Sequence, residues 1–227
     1  MAALESFETD LFPTSAGDLT ITFLGHASLL MIFNRKKIYV DPFGQVADYA
    51  VLPTADIILS THEHRDHLDP PALAAIRAPA TVLVLNPAGA AQVQGSIVLR
   101  NGDVQTIAGL PIQAVPAYNI IHKREDGQPF HPEGVGNGYI LTFGATRVYL
   151  AGDTENIPEM KNLYDISVAF LPMNLPYTMT PEMVADAART FKPRVLYPYH
   201  YGNTDTNKLV ELLAAEEDIE VRIRKMA

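Results

Sequence analysis

The 227-residue chain contains no cysteine. That excludes disulfides, thiolate metal ligands and a cysteine nucleophile. Basic residues are also scarce: 17 Lys and Arg stand against 26 Asp and Glu, a net charge of −9. Capture of nucleic acid needs a basic field, so no nucleic-acid partner is expected. No apolar run approaches the eighteen or more residues of a membrane span, so no membrane partner is expected. The stretch Met1–Asp10 is acidic and lacks the apolar core of a secretory leader, which leaves a cytoplasmic protein as the expectation. With 48% hydrophobic and 19% charged residues the composition is that of an ordinary globular chain. It shows no repeat, low-complexity tract or linker, so residues 1–227 read as one domain with room for a sizeable core.

What is present is concentrated at residues 61–69, Thr-His-Glu-His-Arg-Asp-His-Leu-Asp. His62, His64, Asp66 and His67 form an H-x-H-x-D-H pattern directly after the apolar run Asp56–Leu59. Imidazole and carboxylate together suit a borderline divalent ion such as zinc. A polar turn that gathers surface histidines by accident is the bland alternative, and chance produces this pattern on the order of once in a few thousand such chains. A buried strand can deliver His62 and His64 to one side of a loop, since residues two apart in extended chain point the same way. Asp66 and His67 follow near an expected helix start, with Asp69 as N-cap and Pro70-Pro71 in the first turn. The loop can therefore aim its two pairs at two adjacent metals.

Further donors lie beside strand-like runs. Asp153 follows Arg147–Leu150, His200 follows Val195–Tyr197, and His131 precedes Gly134, Gly136 and the run Tyr139–Phe143. Loops at strand ends are where sites sit on layered folds. His122 and Asn119 share the connection that holds His131, but His122 adjoins Lys123-Arg124-Glu125-Asp126-Gly127, which reads as an exposed loop tip. His26 and Asp41 also end strand-like runs and are compatible with plain turn roles.

The order of these motifs resembles the metallo-β-lactamase-fold superfamily, in particular its small stand-alone metal-dependent hydrolases of the ascorbate-6-phosphate lactonase type. The resemblance rests on residues 62–67, Gly152-Asp153 and His200. It rests also on Phe23-Leu24-Gly25-His26-Ala27, Val40-Asp41-Pro42-Phe43, Val115-Pro116-Ala117-Tyr118-Asn119, Met179-Thr180-Pro181-Glu182 and Pro198-Tyr199-His200-Tyr201-Gly202. It runs over about residues 20 to 203. It implies an α/β (α+β) four-layer αββα sandwich, two mixed β-sheets flanked by helices, where composition alone gives only α/β or α+β. It further implies two divalent transition-metal ions, zinc first, with manganese or iron as alternatives. His62, His64 and His131 would hold one, Asp66, His67 and His200 the other, and Asp153 would bridge them. Asp41 would lie beneath the metals and orient a ligand, a role also open to His26.

The expected chemistry is hydrolysis of an ester, lactone or phosphodiester of a small molecule by a metal-bound hydroxide, with Asp66 as proton acceptor. A di-iron redox or oxygen-handling protein and an inactive metal-binding member of the same fold are the alternatives. Tyr118, Asn119 and Tyr201, with Tyr177 and Met179, are expected near the mouth as substrate contacts or loop packing. The sequence leaves room for a homo-oligomer.

Overall fold

The computed structural model describes residues 4–227, so the first three residues of Met1–Asp10 lie outside it. Fourteen strands form two seven-stranded sheets. The first runs in chain order through β1 (Glu8–Thr14), β2 (Gly17–Gly25), β3 (Ser28–Phe33), β4 (Lys36–Val40), β5 (Ile57–Leu59), β6 (Val82–Leu85) and β7 (Ser96–Val98). The second runs from β8 (Val104–Ile107) through β9 (Leu110–Ala117), β10 (Gly136–Phe143), β11 (Thr146–Leu150), β12 (Ile166–Pro172) and β13 (Val195–Tyr199) to β14 (Glu220–Val221). Each sheet begins as an antiparallel meander of four strands and continues as parallel strands. The halves thus repeat an architecture that no residue-level repeat announces, because burial pattern, not residue identity, specifies each strand.

Three apolar layers set the order of the sandwich. Between the sheets, Ile21, Met31 and Val40 of the first meet Ile112, Leu141 and Phe170 of the second. Outside the first sheet, Tyr39, Ile58 and Leu83 pack against Leu73 and Ile76 of α1 (Pro70–Ile76). A further short helix, α2 (Pro87–Gln92), follows β6. Outside the second sheet, Tyr149, Ala169 and Leu196 pack against Val184, Ala188 and Phe191 of α3 (Pro181–Phe191) and Leu209 of α4 (Thr206–Leu212). This is the αββα sandwich expected. Each fully buried large aliphatic or aromatic side chain contributes about 1.5–3 kcal/mol, so the three layers together hold the strand ends rigidly.

Two strands carry little strand signature in the sequence. β1 is a half-exposed edge strand whose run Glu-Thr-Asp-Leu-Phe-Pro-Thr is polar and contains a proline. β12 is buried almost throughout, so its apolar run has no alternation to mark it. The N-cap of α1 also differs: Asp69 makes no side-chain cap bond, and its Oδ2 instead accepts from the Gly44 amide at 2.9 Å.

Candidate metal centre

The polar loops converge where the parallel strands end. β5 leads into the 61–69 loop, β11 into Gly152-Asp153 and β13 into His200, while β4 delivers Asp41 and the β2–β3 turn delivers His26. This is the carboxyl edge at which layered α/β folds bind ligands. The local backbone is held in costly shapes there. His26, Asp41 and His200 all have positive φ, at 54°, 44° and 47°. Non-glycine residues of this kind cost of order 1–3 kcal/mol and cluster at functional sites. His200 donates its amide to the His26 carbonyl at 2.9 Å, which locks two of the three together. Gly152 needs its φ of 68°, and a Cβ there would meet the Asn137 carbonyl at 2.7 Å, so only glycine lets Asp153 sit so close beneath.

Two donor groups form, and a third set links them. His62, His64 and His131 present nitrogens within 4.8 Å of one another, an Asp66 oxygen and nitrogens of His67, His200 and His26 lie as close together, and so do His62, His67 and Asp153. His62 Nε2 and His64 Nδ1 are 2.9 Å apart, near the roughly 3.3 Å expected of two nitrogens on one tetrahedral ion with ~2.05 Å bonds. Asp153 lies between the groups: Oδ1 is 3.4 Å from His67 Nε2, and Oδ2 is 3.3 Å from His131 Nε2 and 3.5 Å from His200 Nε2. All seven residues that the sequence nominates as ligands therefore come together. His26 joins them instead of standing behind them, with Nε2 at 3.1 Å from Asp66 Oδ2.

The partners of the outer ring nitrogens fix how each imidazole faces. Asp41, fully buried, accepts from the Thr61 amide at 2.7 Å, the Thr61 hydroxyl at 2.8 Å and His67 Nδ1 at 2.9 Å. His67 Nε2 is thereby aimed inward, as the expected role of Asp41 requires. Asn119 does the same for His131. Its Nδ2 faces two obligate acceptors, Glu155 Oε1 at 3.1 Å and the Tyr177 carbonyl at 2.9 Å. Its Oδ1 must then receive His131 Nδ1 at 2.7 Å and the His131 amide at 2.8 Å, which leaves Nε2 for the centre. Asn119 thus orients His131 and lies outside the residues that wall the open cleft. Glu155, fully buried, anchors it while accepting the amides of Ile120, Ile121 and His122. Sequence reasoning misses Glu155, because its partners Asn119, Ile120, Ile121 and His122 lie more than thirty residues away in the chain.

Among the described residues four buried side-chain atoms find no hydrogen-bond partner: His67 Nε2, Asp153 Oδ1 and both ring nitrogens of His200. Leaving such groups unsatisfied costs about 1–3 kcal/mol each. Two of them, His67 Nε2 and His200 Nε2, lie within 3.5 Å of Asp153, so an ion held there satisfies the donors. Electrostatics divide the imidazoles. Burial pushes those of His62 and His64 below their ordinary value, which keeps lone pairs free, whereas the carboxylates of Asp153 and Asp41 overcome burial and raise His67 well above it. Burial alone would raise the Asp153 carboxyl, but the surrounding His200, His67 and His131 overcome it and hold it well below the carboxylate range. The residues fit a metal site built from nitrogen and oxygen donors.

The other sequence expectations resolve differently. Tyr118 and Tyr201 do not line the cleft over the site: the Tyr118 hydroxyl donates to Glu159 at 3.0 Å and that of Tyr201 to the Arg224 carbonyl at 2.8 Å. Met179 is fully buried and packs the layer beneath α3. His122 stands outside both donor groups, but at the base of the loop tip and not on it, with Nδ1 at 2.7 Å from Glu155. The open cleft of ≈ 490 Å³ is instead walled by Arg65, Arg124, Phe130, Asn174 and Tyr177 around the histidines. Of these only Tyr177 is expected from sequence.

Residues 20–200 match the family model of the β-lactamase superfamily domain. The chain belongs to the β-lactamase superfamily. Within it, the chain groups with metal-dependent hydrolases. It is 33% identical over 195 residues to one from Methanopyrus kandleri, covering 81% of this chain and 84% of that protein. It is 35% identical over 199 residues to another from Thermococcus kodakarensis, covering 80% and 84%. The crystal structure of a protein described as a metal-dependent hydrolase from Parabacteroides distasonis superposes with a TM-score of 0.93 at 49% identity, covering 97% of this chain and all of that one. The diiron β-hydroxylase CmlA from Streptomyces venezuelae shares the fold at 15% identity and a TM-score of 0.70, covering 94% of this chain and 54% of that one. Among the described residues no helix is long and apolar enough to cross a membrane.

Proposed function

We propose that this metal-dependent hydrolase is dinuclear and cleaves an ester, lactone or phosphodiester bond of a small molecule. The observation that carries the reading is the pair of donor groups sharing Asp153, with orphaned buried atoms between them, at the floor of an open cleft. His62, His64 and His131 would hold one ion and Asp66, His67 and His200 the other, with Asp153 common to both. Divalent ions at such a site supply an acidified water and polarise a carbonyl or phosphoryl oxygen, and zinc best suits this donor set.

The chain's own residues do the rest. Asp41 and Asn119 fix two imidazoles so that no reorganisation is needed when substrate arrives. Asp66 is the more exposed of the two carboxylates that line the cleft, its side chain 38% exposed against 4% for Asp153. It is placed to orient a water and take its proton at Oδ2, the atom His26 Nε2 contacts. Phe130 and Tyr177 stack edge to face at 5.1 Å and form one wall for the substrate. The test is turnover of lactones, phosphodiesters and thioesters by metal-loaded protein, abolished by chelation and restored by zinc or manganese. A coloured protein that consumes oxygen with a supplied reductant, and turns over none of these, overturns the reading in favour of di-iron chemistry.

A further inference from the structure

The donors come from both sheets. His62, His64, Asp66 and His67 lie on the loop after β5 of the first sheet, whereas Asp153 and His200 follow β11 and β13 of the second and His131 precedes β10. Either ion would therefore be shared across the sandwich, and its ligand geometry depends on how the two sheets sit against each other. Functional sites tolerate only about 0.5 Å of misplacement. The apolar layer between the sheets cannot set that register alone, because hydrophobic contact is non-directional.

A polar crossing stands in this layer at the root of the ligand loop. Tyr139 and Asn137, both in β10, are fully buried. The Tyr139 hydroxyl donates to the Ser60 carbonyl at 3.0 Å, and the Asn137 amide donates to the Thr61 carbonyl at 2.9 Å. Ser60 and Thr61 are the two residues that precede His62. The Asn137 side chain braces the crossing. Its Nδ2 donates to the Leu99 carbonyl at 2.8 Å and to the Tyr139 hydroxyl at 3.2 Å, while its Oδ1 accepts from Asn101 at 2.7 Å. The hydroxyl is thus already an acceptor from Asn137, and its own proton goes to Ser60. Gly138 lets the strand come this close, since a Cβ there would meet the Ala151 carbonyl at 2.8 Å.

A buried tyrosine ordinarily needs no more than some acceptor for its hydroxyl. Here the acceptor is the peptide from which the ligand loop springs. From the first sheet, Asp41 takes the Thr61 amide and hydroxyl, so the loop root is gripped from both sides.

We propose that Tyr139 is a positioning residue for the metal centre. Its hydroxyl pins the root of the ligand loop to the second sheet, and so sets His62, His64 and His67 against His131, Asp153 and His200. It acts through the loop backbone and not through a donor atom. The proposal rests on the metal reading of the site and deepens it.

Tyr139→Phe removes one oxygen and keeps the ring in the layer. Leu141→Ala, from the same strand and the same layer, lowers stability without removing a polar atom and is the control. Competition with a chromophoric chelator should show zinc held about tenfold more weakly by Tyr139→Phe, the lower end of what loss of an orienting partner costs. The Co(II)-loaded variant should show shifted d–d bands, and Co(II)-loaded Leu141→Ala should not. Hydrogen exchange reads the pin without metal: beyond any loss of global stability, the amide of residue 137 should exchange about tenfold faster in Tyr139→Phe and not in Leu141→Ala. Asn137→Ala keeps the hydroxyl and the Thr61 tie but loses the side chain that braces them. It should weaken zinc binding severalfold, and it decides the matter if Tyr139→Phe does not fold. Zinc affinity and cobalt bands that match those of Leu141→Ala at equal loss of stability overturn the proposal. A wild type that takes up no zinc, with the residue 137 amide still loosened by Tyr139→Phe, would sink the metal reading alone and leave the pin in place.

Discussion

Replacing Asn119 by alanine tests how the centre is held. Asn119 is 6% exposed and makes four hydrogen bonds: it donates to Glu155 and the Tyr177 carbonyl and accepts from the His131 amide and His131 Nδ1. Truncation removes all four and leaves two buried donors on His131 without an acceptor. At about 1 kcal/mol net per bond, with a desolvation penalty for the orphaned donors, the cost to folding is roughly 2–4 kcal/mol. The more specific effect falls on metal. With Nδ1 unpartnered the His131 ring can rotate or place its proton on Nε2, and loss of such a partner lowers metal affinity by about 10–100-fold. Competition against a chromophoric zinc chelator measures the affinity. Val184→Ala, on the buried face of α3 and outside every donor group, is the control, since it lowers stability without removing a donor. If Asn119→Ala binds zinc as tightly as Val184→Ala at matched loss of stability, the orienting role assigned to Asn119 is wrong.

Other outcomes follow from the same geometry. His131→Ala should lose one ion and most activity together, whereas His122→Ala should change metal content and kcat/KM by less than about threefold; metal analysis with kinetics decides, and the opposite pattern would place the third ligand at His122. Asp66→Asn should cut hydrolysis by roughly 10²-fold or more, and a variant with full activity contradicts the proton-accepting role. Asp10 ties β1 to the C-terminal segment through Arg224 (2.7 Å), Arg222 and the Tyr197 hydroxyl. Burial pushes its carboxyl up, but the hydrogen bonds from Arg224 and Tyr197 and the two guanidinium charges win and hold it below its ordinary value. A depressed carboxylate stabilises the fold above its unfolded pKa near 4 and ceases to do so as pH falls through the folded value. Asp10→Asn should therefore lower Tm at pH 7, by an amount corresponding to about 1 kcal/mol, and the difference should shrink once the pH falls below about 4 and through the folded value.

The ligand loop is legible in sequence because its four donors are contiguous, and a short strand fixes how they fan out. Asp153 and His200 are legible because each follows an apolar run and therefore reaches the same sheet edge. What stays hidden depends on contacts across the fold. Asn119 meets His131 across twelve residues and Glu155 across thirty-six, so neither partner marks the other in the chain. Tyr118 and Tyr201 sit at strand ends as expected, yet position along a strand does not fix which way a side chain turns, and both hydroxyls are taken up by internal partners. Arg65 and Arg124 read as solvated charges until the loops bring them to one cleft. His26 reads as a turn residue because its contact with Asp66 spans forty positions.

The central claim is that the seven converging residues hold two ions. Inductively coupled plasma mass spectrometry on protein purified under metal-replete conditions, without chelator or affinity metal, tests it most directly. The account predicts about two transition-metal ions per chain, falling to about one when Asp66 and His200 are both replaced by alanine. A wild-type content near zero under those conditions would contradict it.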